Sequence, residues 1–458
     1  MSSSVQAALP QSKPAARGFL RRLWDAIGMS LLALVTAFLL GGLVIWITSG
    51  SFDTVVQAYA GLFRGAFVKE RGLTETLVAS VPYILLSLGV AVGFKSGLFN
   101  IGVEGQFYIG AVAAAWVGQA VQGVPAIISL PLAIGAGALG GAIWAAIPGY
   151  LKARFGVHEV INTIMMNYIA FRFAEYVVSG PLRDKLASAP QTPRISPAAE
   201  LWTFAAVPKR LEDPLNAFAV ALIAAFITWL IMRWVVGRPS MQKRIAGKSQ
   251  RRAVLLGVSA FVGMIVFVGL PVLTRTWWPF TDQYDRLHTG LILAIFAAVA
   301  VWWLFAKTTL GFSLRMVGAN PNAARYAGVN ITRNIVTAMA MSGALAGIAG
   351  TIEILGVSIC RCLPLFFSSG YGFDSIAIAL LAKNNPFGII AGSFLFGAMR
   401  NGADLMELNS GVSKYIISLI QALVLLFVAA PGVVRWMYRI KSERRPEEEA
   451  PLTRGWGG

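Results

Sequence analysis

The sequence has little charge and few of the side chains that hold metal ions. Of its 458 residues, 13% are charged, 2 are cysteines and 2 are histidines. Cys360 and Cys362 are separated by one residue, which makes them a poor disulfide pair. His158 and His288 are far apart, so no Cys/His cluster completes a zinc site. The sequence therefore predicts no metal and no cofactor.

Motifs of enzymes and of nucleotide-binding proteins are lacking as well. The chain has no HExxH motif, no Ser-His-Asp set and no paired catalytic carboxylates at a workable spacing. Gly247-Lys248-Ser249 matches the end of a phosphate-binding loop, but Gln242 stands where its first glycine must be. We therefore predict that the chain is not an enzyme, and that any ATP hydrolysis belongs to a separate protein.

Long apolar runs dominate the sequence instead. Hydrophobic residues make up 56% of the chain, and many stretches approach the roughly 20 residues that cross a bilayer. We predict an all-α polytopic membrane protein with about 10–12 transmembrane helices, some of them broken or re-entrant, in two loosely related halves. The predicted spans are residues 28–48, 77–93, 107–119, 125–147, 160–178, 218–236, 253–273, 291–305, 335–357, 376–381 (a half-helix), 388–399 and 415–430.

Basic residues between the spans set the orientation. A formal net charge of +18 would suit nucleic acid, but the charges sit in short loops, where membrane topology puts them. The positive-inside rule predicts a cytoplasmic N-terminal tail (1–27) and a cytoplasmic C-terminal tail (433–458) around a membrane domain (28–432). It also places the loop 49–73 outside, together with a proline-rich loop, 179–215, that would suit an external partner.

The polar loop 307–334 is unusual between two apolar spans. It reads KTTLGFSLRMVGANPNAARYAGVNITRN and carries Arg315, Arg325 and Arg333 beside the small pair Ala323 and Ala324. A membrane subunit that a soluble motor grips and moves needs such a loop, whereas a channel does not. An ordinary basic cytoplasmic loop is the other interpretation.

A substrate pathway is predicted where polar residues interrupt the apolar pattern. Residues 94–106 read FKSGLFNIGVEGQ and carry Asn100, Glu104 and Gln106. Irregular polar backbone at membrane depth is tolerated only when it is buried in protein or faces a cavity. Two interpretations of Glu104 stay open: it lines a substrate route, or it caps a helix break by accepting backbone N–H bonds.

The second half of the chain has a similar break. Gly370, Gly372 and Asp374 precede the short apolar run 376–381, and broken segments in corresponding halves are the usual indication of a midplane site. The span 160–178 adds polar residues of its own. The remaining candidates for the pathway are Asn162, Asn167 and Tyr168.

The chain resembles permease subunits of bacterial ABC importers of the ribose/branched-chain amino-acid type. The segments that carry the resemblance are GLFNIGVEGQFYIGA (97–111), HEVINTIMMNYIA (158–170), KTTLGFSLRMVGANPNAARYAGV (307–329), SGALAGIAG (342–350) and GYGFDSIAIALLAKNNPFG (370–388). It is most similar to the branch of nucleoside and simple-sugar permeases that work with basic-membrane-protein lipoprotein receptors. The resemblance implies a second permease subunit in a heterodimer, a tandem ATPase, and a periplasmic or lipid-anchored receptor.

The resemblance also assigns a docking surface for the ATPase. It implies a coupling loop made of Arg315, Gly318, Asn320, Pro321, Ala323, Ala324 and Gly328. We predict that Ala323→Arg or Ala324→Arg abolishes transport without removing the protein from the membrane. Two features depart from the family pattern, an apparent extra hairpin at 218–273 and the CRC segment 360–362.

The predicted function is therefore that of a permease subunit in the bacterial inner membrane. It would import nucleosides, or a related small polar solute, by alternating access driven by a separate ATPase. Two alternatives remain, an importer of the same type for ribose or other sugars, and a secondary transporter that works alone on an ion gradient.

Overall fold

A computed structural model describes residues 19–236, 248–276, 280, 282 and 284–439. The first 18 residues of the predicted N-terminal tail, the basic turn of the 218–273 hairpin at 237–247, and residues 440–458 of the C-terminal tail lie outside this part.

The described part of the chain is built from helices. Its only β-structure consists of two isolated bridges, Gln191 with Pro364 and Thr203 with His288. In chain order the helices are α1 Phe19–Ser49, α2 Phe52–Phe63, α3 Gly72–Lys95, α4 Val103–Ala120, α5 Ala126–Phe155, α6 Glu159–Ser179, α7 Val207–Arg210, α8 Pro214–Val236, α9 Lys248–Thr276, α10 Gly290–Lys307, α11 Thr309–Ala319, α12 Pro321–Tyr326, α13 Ile331–Ile352, α14 Tyr371–Leu381, α15 Pro386–Ser410, α16 Tyr415–Ala429 and α17 Pro431–Met437.

Seven helices of the described part are long and apolar enough to cross a membrane, or eight if the pair α16 and α17, bent by 91°, forms one span. Three further long helices, α4, α6 and α15, have 18, 21 and 25 residues and carry more polar side chains. The twelve predicted spans all fall on helices, but some helices extend well beyond the predicted ends, by eight residues at the end of α5 and by eleven at the end of α15. This confirms the all-α polytopic class.

The centre of the bundle is held by contacts between small residues. Gly137 and Gly141 of α5 face Gly343 and Gly347 of α13, and a Cβ added at Gly141 would lie 2.2 Å from the Gly343 carbonyl oxygen. Such contacts let helices approach closely enough for extensive van der Waals packing, which drives helix association in a bilayer. The two GxxxG pairs in the sequence therefore pack against each other.

The predicted external loop 49–73 contains the amphipathic helix α2 and a π-helical turn, Arg64–Val68. Gly61 and Gly65 lie against the backbone of α15, where an added Cβ would meet Met406 Cα at 2.9 Å and Gly402 Cα at 3.0 Å. The apolar pattern of the sequence does not indicate this helix, because its buried face is short and includes small residues. The segment is packed helix rather than free loop.

The hairpin of α8 and α9 packs mainly on itself. Its spans Pro214–Arg233 and Arg252–Thr274 bury only 17% and 11% of their most apolar windows inside the chain. Lipid can cover such surfaces without cost because they are almost entirely apolar. The extra hairpin expected from the sequence is therefore present as two membrane-length helices.

The prediction that Cys360 and Cys362 make a poor disulfide pair is wrong, because the two residues are bonded to each other. Arg361 between them has φ 51°, in the left-handed region, and the Cα atoms lie 5.1 Å apart. An extended chain would separate them by about 6.6 Å. The left-handed conformation of Arg361 therefore brings the two Cα atoms closer together than an extended chain would, and the sequence does not predict this conformation.

Candidate functional site

Two broken helices meet inside the membrane domain. Helix α4 begins at Val103, after an irregular segment that follows the end of α3 at Lys95. Helix α14 begins at Tyr371, after Gly370 with φ 90°. The first turns of both helices lie side by side, because Gly372 has no Cβ: a side chain there would sit 2.6 Å from the Glu104 nitrogen and carboxylate. Helix N-termini carry partial positive charge, so a carboxylate between them is stabilised.

Glu104 occupies this junction and is 2% exposed. One carboxylate oxygen accepts a hydrogen bond from the Ser368 hydroxyl, and the other accepts one from the backbone N–H of Gly372. The bond from the Gly372 N–H is the one that the capping interpretation predicts, whereas the place of Glu104 on a substrate route stays a prediction. Glu104 joins two helix breaks, and it also forms part of a cavity wall.

That cavity has a volume of about 360 Å³, within the range of small-molecule sites. Its wall is mostly apolar and includes six aromatic side chains, with the Glu104 carboxylate and one ion pair among the polar groups. The lining residues are Glu104, Tyr108, Tyr168, Phe171, Arg172, Ala174, Glu175, Val178, Leu363, Pro364, Leu365, Phe366, Phe367, Ser368, Gly370 and Phe373. The cavity is thus built by α4, by α6 and by the segment that leads into α14.

Of the seven residues predicted for the pathway, Glu104 and Tyr168 line this cavity. Asn100, Gln106 and Asn167 lie behind it as a buried polar clamp. Asn100 Nδ2 donates to Gln106 Oε1 at 3.0 Å and to Ser342 Oγ at 2.9 Å, and Asn100 Oδ1 accepts from Gln106 Nε2 at 3.1 Å. Asn167 Oδ1 accepts from the Gly105 N–H at 2.8 Å. These bonds satisfy polar groups that would be costly to leave unpaired in this setting.

Asp374 and Asn162 are placed elsewhere. Asp374 accepts a hydrogen bond from Tyr83 at 2.8 Å, and Tyr83 in turn accepts one from Arg400 at 3.3 Å. The Arg400 guanidinium also stacks on the Tyr371 ring, 3.9 Å from its centroid. Asn162 is half-buried, and within the described chain its Nδ2 has no hydrogen-bond partner.

An ion pair in the cavity wall was not predicted from the sequence. Arg172 donates to Glu175 at 2.6 Å, and their side chains are 81% and 38% exposed. Arg172 lies seven residues before the end of α6 at Ser179, which is about 10 Å along the helix axis. Two opposite charges at a spacing of three inside a predicted span were the available signal. The cavity segment 363–373 gave no comparable signal.

Arg172 belongs to a continuous outward face of α6. This α6 face consists of Ile161, Met165, Tyr168, Ile169, Arg172, Phe173 and Tyr176. An arginine at the centre of a membrane helix costs about 2.5–3.5 kcal/mol when it faces lipid. Because the cavity opens between this face and the exposed Phe366, the chain alone does not enclose the site.

The predicted coupling loop folds into two short helices, α11 and α12, and caps explain where they begin. Thr308 Oγ1 accepts from the Gly311 N–H at 3.0 Å, and Asn320 Oδ1 accepts from the Asn322 and Ala323 N–H groups at 3.0 and 3.1 Å. These capping bonds satisfy the free N–H groups of a first helical turn. Pro321 at the first position of α12 fits the same pattern.

The surface of α12 is only partly what the sequence predicted. Pro321 and Ala323 are exposed, as is Gly328 just after the helix, but Ala324 is 0% exposed and packs inside the chain. Tyr326, which the sequence analysis did not single out, is 96% exposed. Arg315 and Asn320 are exposed on α11 and at the junction, whereas Gly318 faces the body of the protein.

A histidine outside the spans is held neutral near the start of α10. His288 is fully buried, and its Nδ1 accepts a hydrogen bond from the Gly290 N–H at 3.1 Å. Burial, with Arg361 and Arg286 nearby, lowers the pKa of His288 from 6.5 to about 3. Within the described residues, no group of three or more His, Cys, Asp or Glu side chains is placed to hold a metal ion.

Sequence comparisons agree on one class of proteins. The sequence model of the family described as branched-chain amino acid transport system / permease component matches residues 72–274 and 240–429. A guanosine ABC transporter permease of Bacillus subtilis is 35% identical over 89% of this chain and 94% of its own length.

Two further relatives also match over most of this chain and most of their own length. A glucose ABC transporter permease of Haloferax volcanii is 31% identical over 92% of both chains. A nucleoside ABC transporter permease of Lactococcus lactis is 29% identical over 89% of this chain and 92% of its own length. No solved structure matches significantly.

Proposed function

Because this chain belongs to the family of branched-chain amino acid transport system permease components, and is an ABC transporter permease subunit, we propose that it imports nucleosides. It does so by alternating access, and a separate ATP-binding cassette subunit supplies the energy. The chain is a multi-pass membrane protein. In the proposal both termini are cytoplasmic, and the membrane is the bacterial inner membrane.

The observation that carries the substrate proposal is the pairing of Glu104 with an aromatic wall in one cavity. A nucleoside has a flat base and a sugar with hydroxyl groups. Tyr108, Phe171 and Phe367 offer ring faces for the base. The Glu104 carboxylate has lone pairs beyond the two that it uses, and these can accept hydrogen bonds from sugar hydroxyls.

In this proposal Glu104 and Tyr168 contact the substrate directly. Asn100, Gln106 and Asn167 hold the first turn of α4 in place, and Asn162 and Asp374 stay predicted pathway residues. A sugar without a base is the second candidate substrate. The glucose permease relative and the carboxylate favour it, but it would leave the aromatic wall without a flat partner.

A second permease subunit fits the α6 face. The exposed ion pair of Arg172 and Glu175 would be expensive against lipid, and a partner protein or a water-filled pathway removes that cost. A second permease set against this face would close the open side of the cavity. A periplasmic or lipid-anchored receptor would then deliver substrate from outside, where loop 179–215 is available.

The ATPase is proposed to dock on the exposed face of α12. The exposed surface of α12 is small and lies at the end of two capped helices. It is formed by Pro321, Ala323 and Tyr326. Arg315, Asn320 and Gly328 extend it. Gly318 and Ala324, which face inward, would support this surface rather than touch the ATPase.

The test is ATP-driven uptake by the complex purified through a tag on this chain and reconstituted in vesicles with its receptor. Labelled guanosine should accumulate when ATP is present on the docking side, and not with an ion gradient alone. Accumulation by this chain alone under an imposed ion gradient would instead establish a secondary transporter.

Two tyrosines separate the substrate site from general effects on the protein. Tyr168→Ala removes a ring from the cavity wall, whereas Tyr150→Ala removes a similarly exposed ring from α5, away from the cavity. Stacking on an aromatic side chain is worth about 1 kcal/mol, so Tyr168→Ala should raise the KM for guanosine about fivefold. Tyr150→Ala should leave it unchanged. Equal effects of both variants would remove Tyr168 from the site.

A further inference from the structure

Gly318 near the end of α11 lies directly against the turn that follows α3. A Cβ added at Gly318 would lie 2.7 Å from the Gly97 nitrogen and 2.7 Å from the Lys95 carbonyl oxygen. A Cβ added at Gly97, where φ is +72°, would lie 2.7 Å from Gly318 Cα. Backbone therefore touches backbone here, with no flexible side chain between the two segments.

The residue at the start of this turn, Lys95, also contacts helix α10. The Lys95 ammonium lies 5.1 Å from the ring centroid of Phe305 at the end of α10. Helices α10 and α11 are consecutive in the chain. The contact of Lys95 with Phe305 and the contact of Gly97 with Gly318 therefore both depend on the position of this pair of helices. A displacement of the docking helices must therefore displace the turn at Gly97 or break close backbone contacts.

The segment from Gly97 to Glu104 is too well anchored to absorb such a displacement. The Leu98 N–H donates to the Gly93 carbonyl at 3.0 Å, and the Gly102 N–H donates to Asn100 Oδ1 at 2.9 Å. Asn167 Nδ2 donates to the Ile101 carbonyl at 3.0 Å. Seven residues after Gly97, the chain reaches the Glu104 carboxylate in the cavity wall.

We propose that the contact between Gly97 and Gly318 is the joint through which movement of the ATPase-docking helices reaches Glu104 and the cavity. The two glycines are positioning residues and do not touch substrate. The proposal rests on the proposed function, because it assumes that an ATPase moves α11 and α12. Its physical basis is one continuous chain of close backbone contacts and hydrogen bonds between two sites.

The first test adds one methyl group at each side of the joint. Gly318→Ala should lower ATP-driven uptake about tenfold when uptake is expressed per molecule of copurified ATPase. Gly135→Ala is the matched control, because a Cβ there meets nothing within 4 Å. Uptake by Gly318→Ala equal to that of Gly135→Ala would overturn the proposal.

Gly97→Ala tests the other side. Its control is Gly156→Ala, which has a similar φ of +69° but nothing within 4 Å of the added Cβ. Strain from the positive φ is then common to both variants, and the contact with Gly318 is not. Loss of coupled uptake in Gly97→Ala alone supports the joint, whereas equal losses would assign the effect to backbone strain.

If these variants fail to accumulate in the membrane, hydrogen exchange measured on the unaltered complex tests the proposal. Amide hydrogen exchange over residues 97–106 should differ between the ATP-bound and ADP-bound complex, because the clamp around Asn100 moves with the joint. Unchanged exchange there would overturn the proposal, even with transport intact. A complex that exchanges as expected but transports no nucleoside would contradict the proposed substrate and leave the joint standing.

Discussion

The Glu104 carboxylate accepts a hydrogen bond from the backbone N–H of Gly372, 268 residues further along the chain. This bond joins the first turns of the two broken helices α4 and α14. It also fixes the carboxylate at the edge of the aromatic cavity. Helix packing and the wall of this cavity therefore depend on the same side chain.

Glu104→Gln should lower both stability and transport. A glutamine can keep the hydrogen bond from the Gly372 N–H through its one acceptor oxygen, but it loses the charge-assisted bond from Ser368, whose hydroxyl then faces an amide NH2 donor and must turn to accept from it. Losing a hydrogen bond to a charged group costs about 1.5–3 kcal/mol, and uptake should fall by about tenfold or more. Uptake and thermal melting of the purified protein measure the two effects. The control is Glu70→Gln, an exposed side chain whose replacement should change neither quantity.

Ala323→Arg and Ala324→Arg should fail in different ways, contrary to the equal outcome expected from the sequence. Ala323 is exposed on α12, so an arginine there should block ATPase copurification while the protein level in the membrane stays normal. Ala324 is 0% exposed, and an arginine there buries an unpaired charge at a cost of about 3 kcal/mol or more. Quantitative blotting of both subunits in membranes distinguishes the two failures. Normal ATPase binding by Ala323→Arg would contradict the docking surface.

The bond between Cys360 and Cys362 should protect both thiols from alkylation in the native protein without reductant. Replacing both cysteines with serine should cost about 1.5 kcal/mol of stability, because the closed loop is very short. In Cys360→Ser, the remaining Cys362 is 1% exposed and should react only after denaturation. Mass spectrometry after alkylation gives the answer. Rapid labelling of both cysteines in the native protein would show that the bond is absent.

His288 should make the protein less stable in acid. Its folded pKa of about 3 lies below the unfolded value of 6.5, so the unfolded chain binds a proton that the folded chain excludes between these pH values. The free energy of unfolding therefore falls as pH falls through this window. His288→Asn keeps an acceptor for the Gly290 N–H but does not titrate.

The difference in stability between wild type and His288→Asn should therefore change by about 2 kcal/mol from pH 7 to pH 5. Denaturation of both proteins in the same detergent, at the two pH values, measures this change. A constant difference would show that the pKa of His288 in the folded protein is near 6.5, as in a histidine exposed to water.

Apolar runs of the right length were enough to predict the membrane-length helices in the described part of this chain. They were not enough for α2, whose buried face contains small residues such as Ala58 and Gly61 that add little hydropathy. The two GxxxG pairs predicted close packing, and the structure supplies their pairing. Helix-scale features follow from local composition because a bilayer requires its backbone groups to be bonded within each span.

The site was harder to predict because it is assembled from distant segments. Glu104 stood out as a carboxylate in an apolar setting, but its partners Ser368 and Gly372 lie in the other half of the chain. The geometry of the disulfide depends on the φ angle of Arg361, which no local sequence pattern predicts. Burial of Ala324 depends on how α12 packs against its neighbours. A sequence shows which polar and charged side chains are present, but it does not show the distances between residues that are far apart in the chain.

The most direct test of the account is energised uptake of labelled guanosine, adenosine, uridine and ribose by cells with and without this gene. The account predicts that loss of the gene abolishes nucleoside uptake, that ribose uptake is unchanged, and that the wild-type gene restores the loss. Loss of ribose uptake alone would move the substrate to sugars. Unchanged uptake of all four compounds would contradict the nucleoside importer.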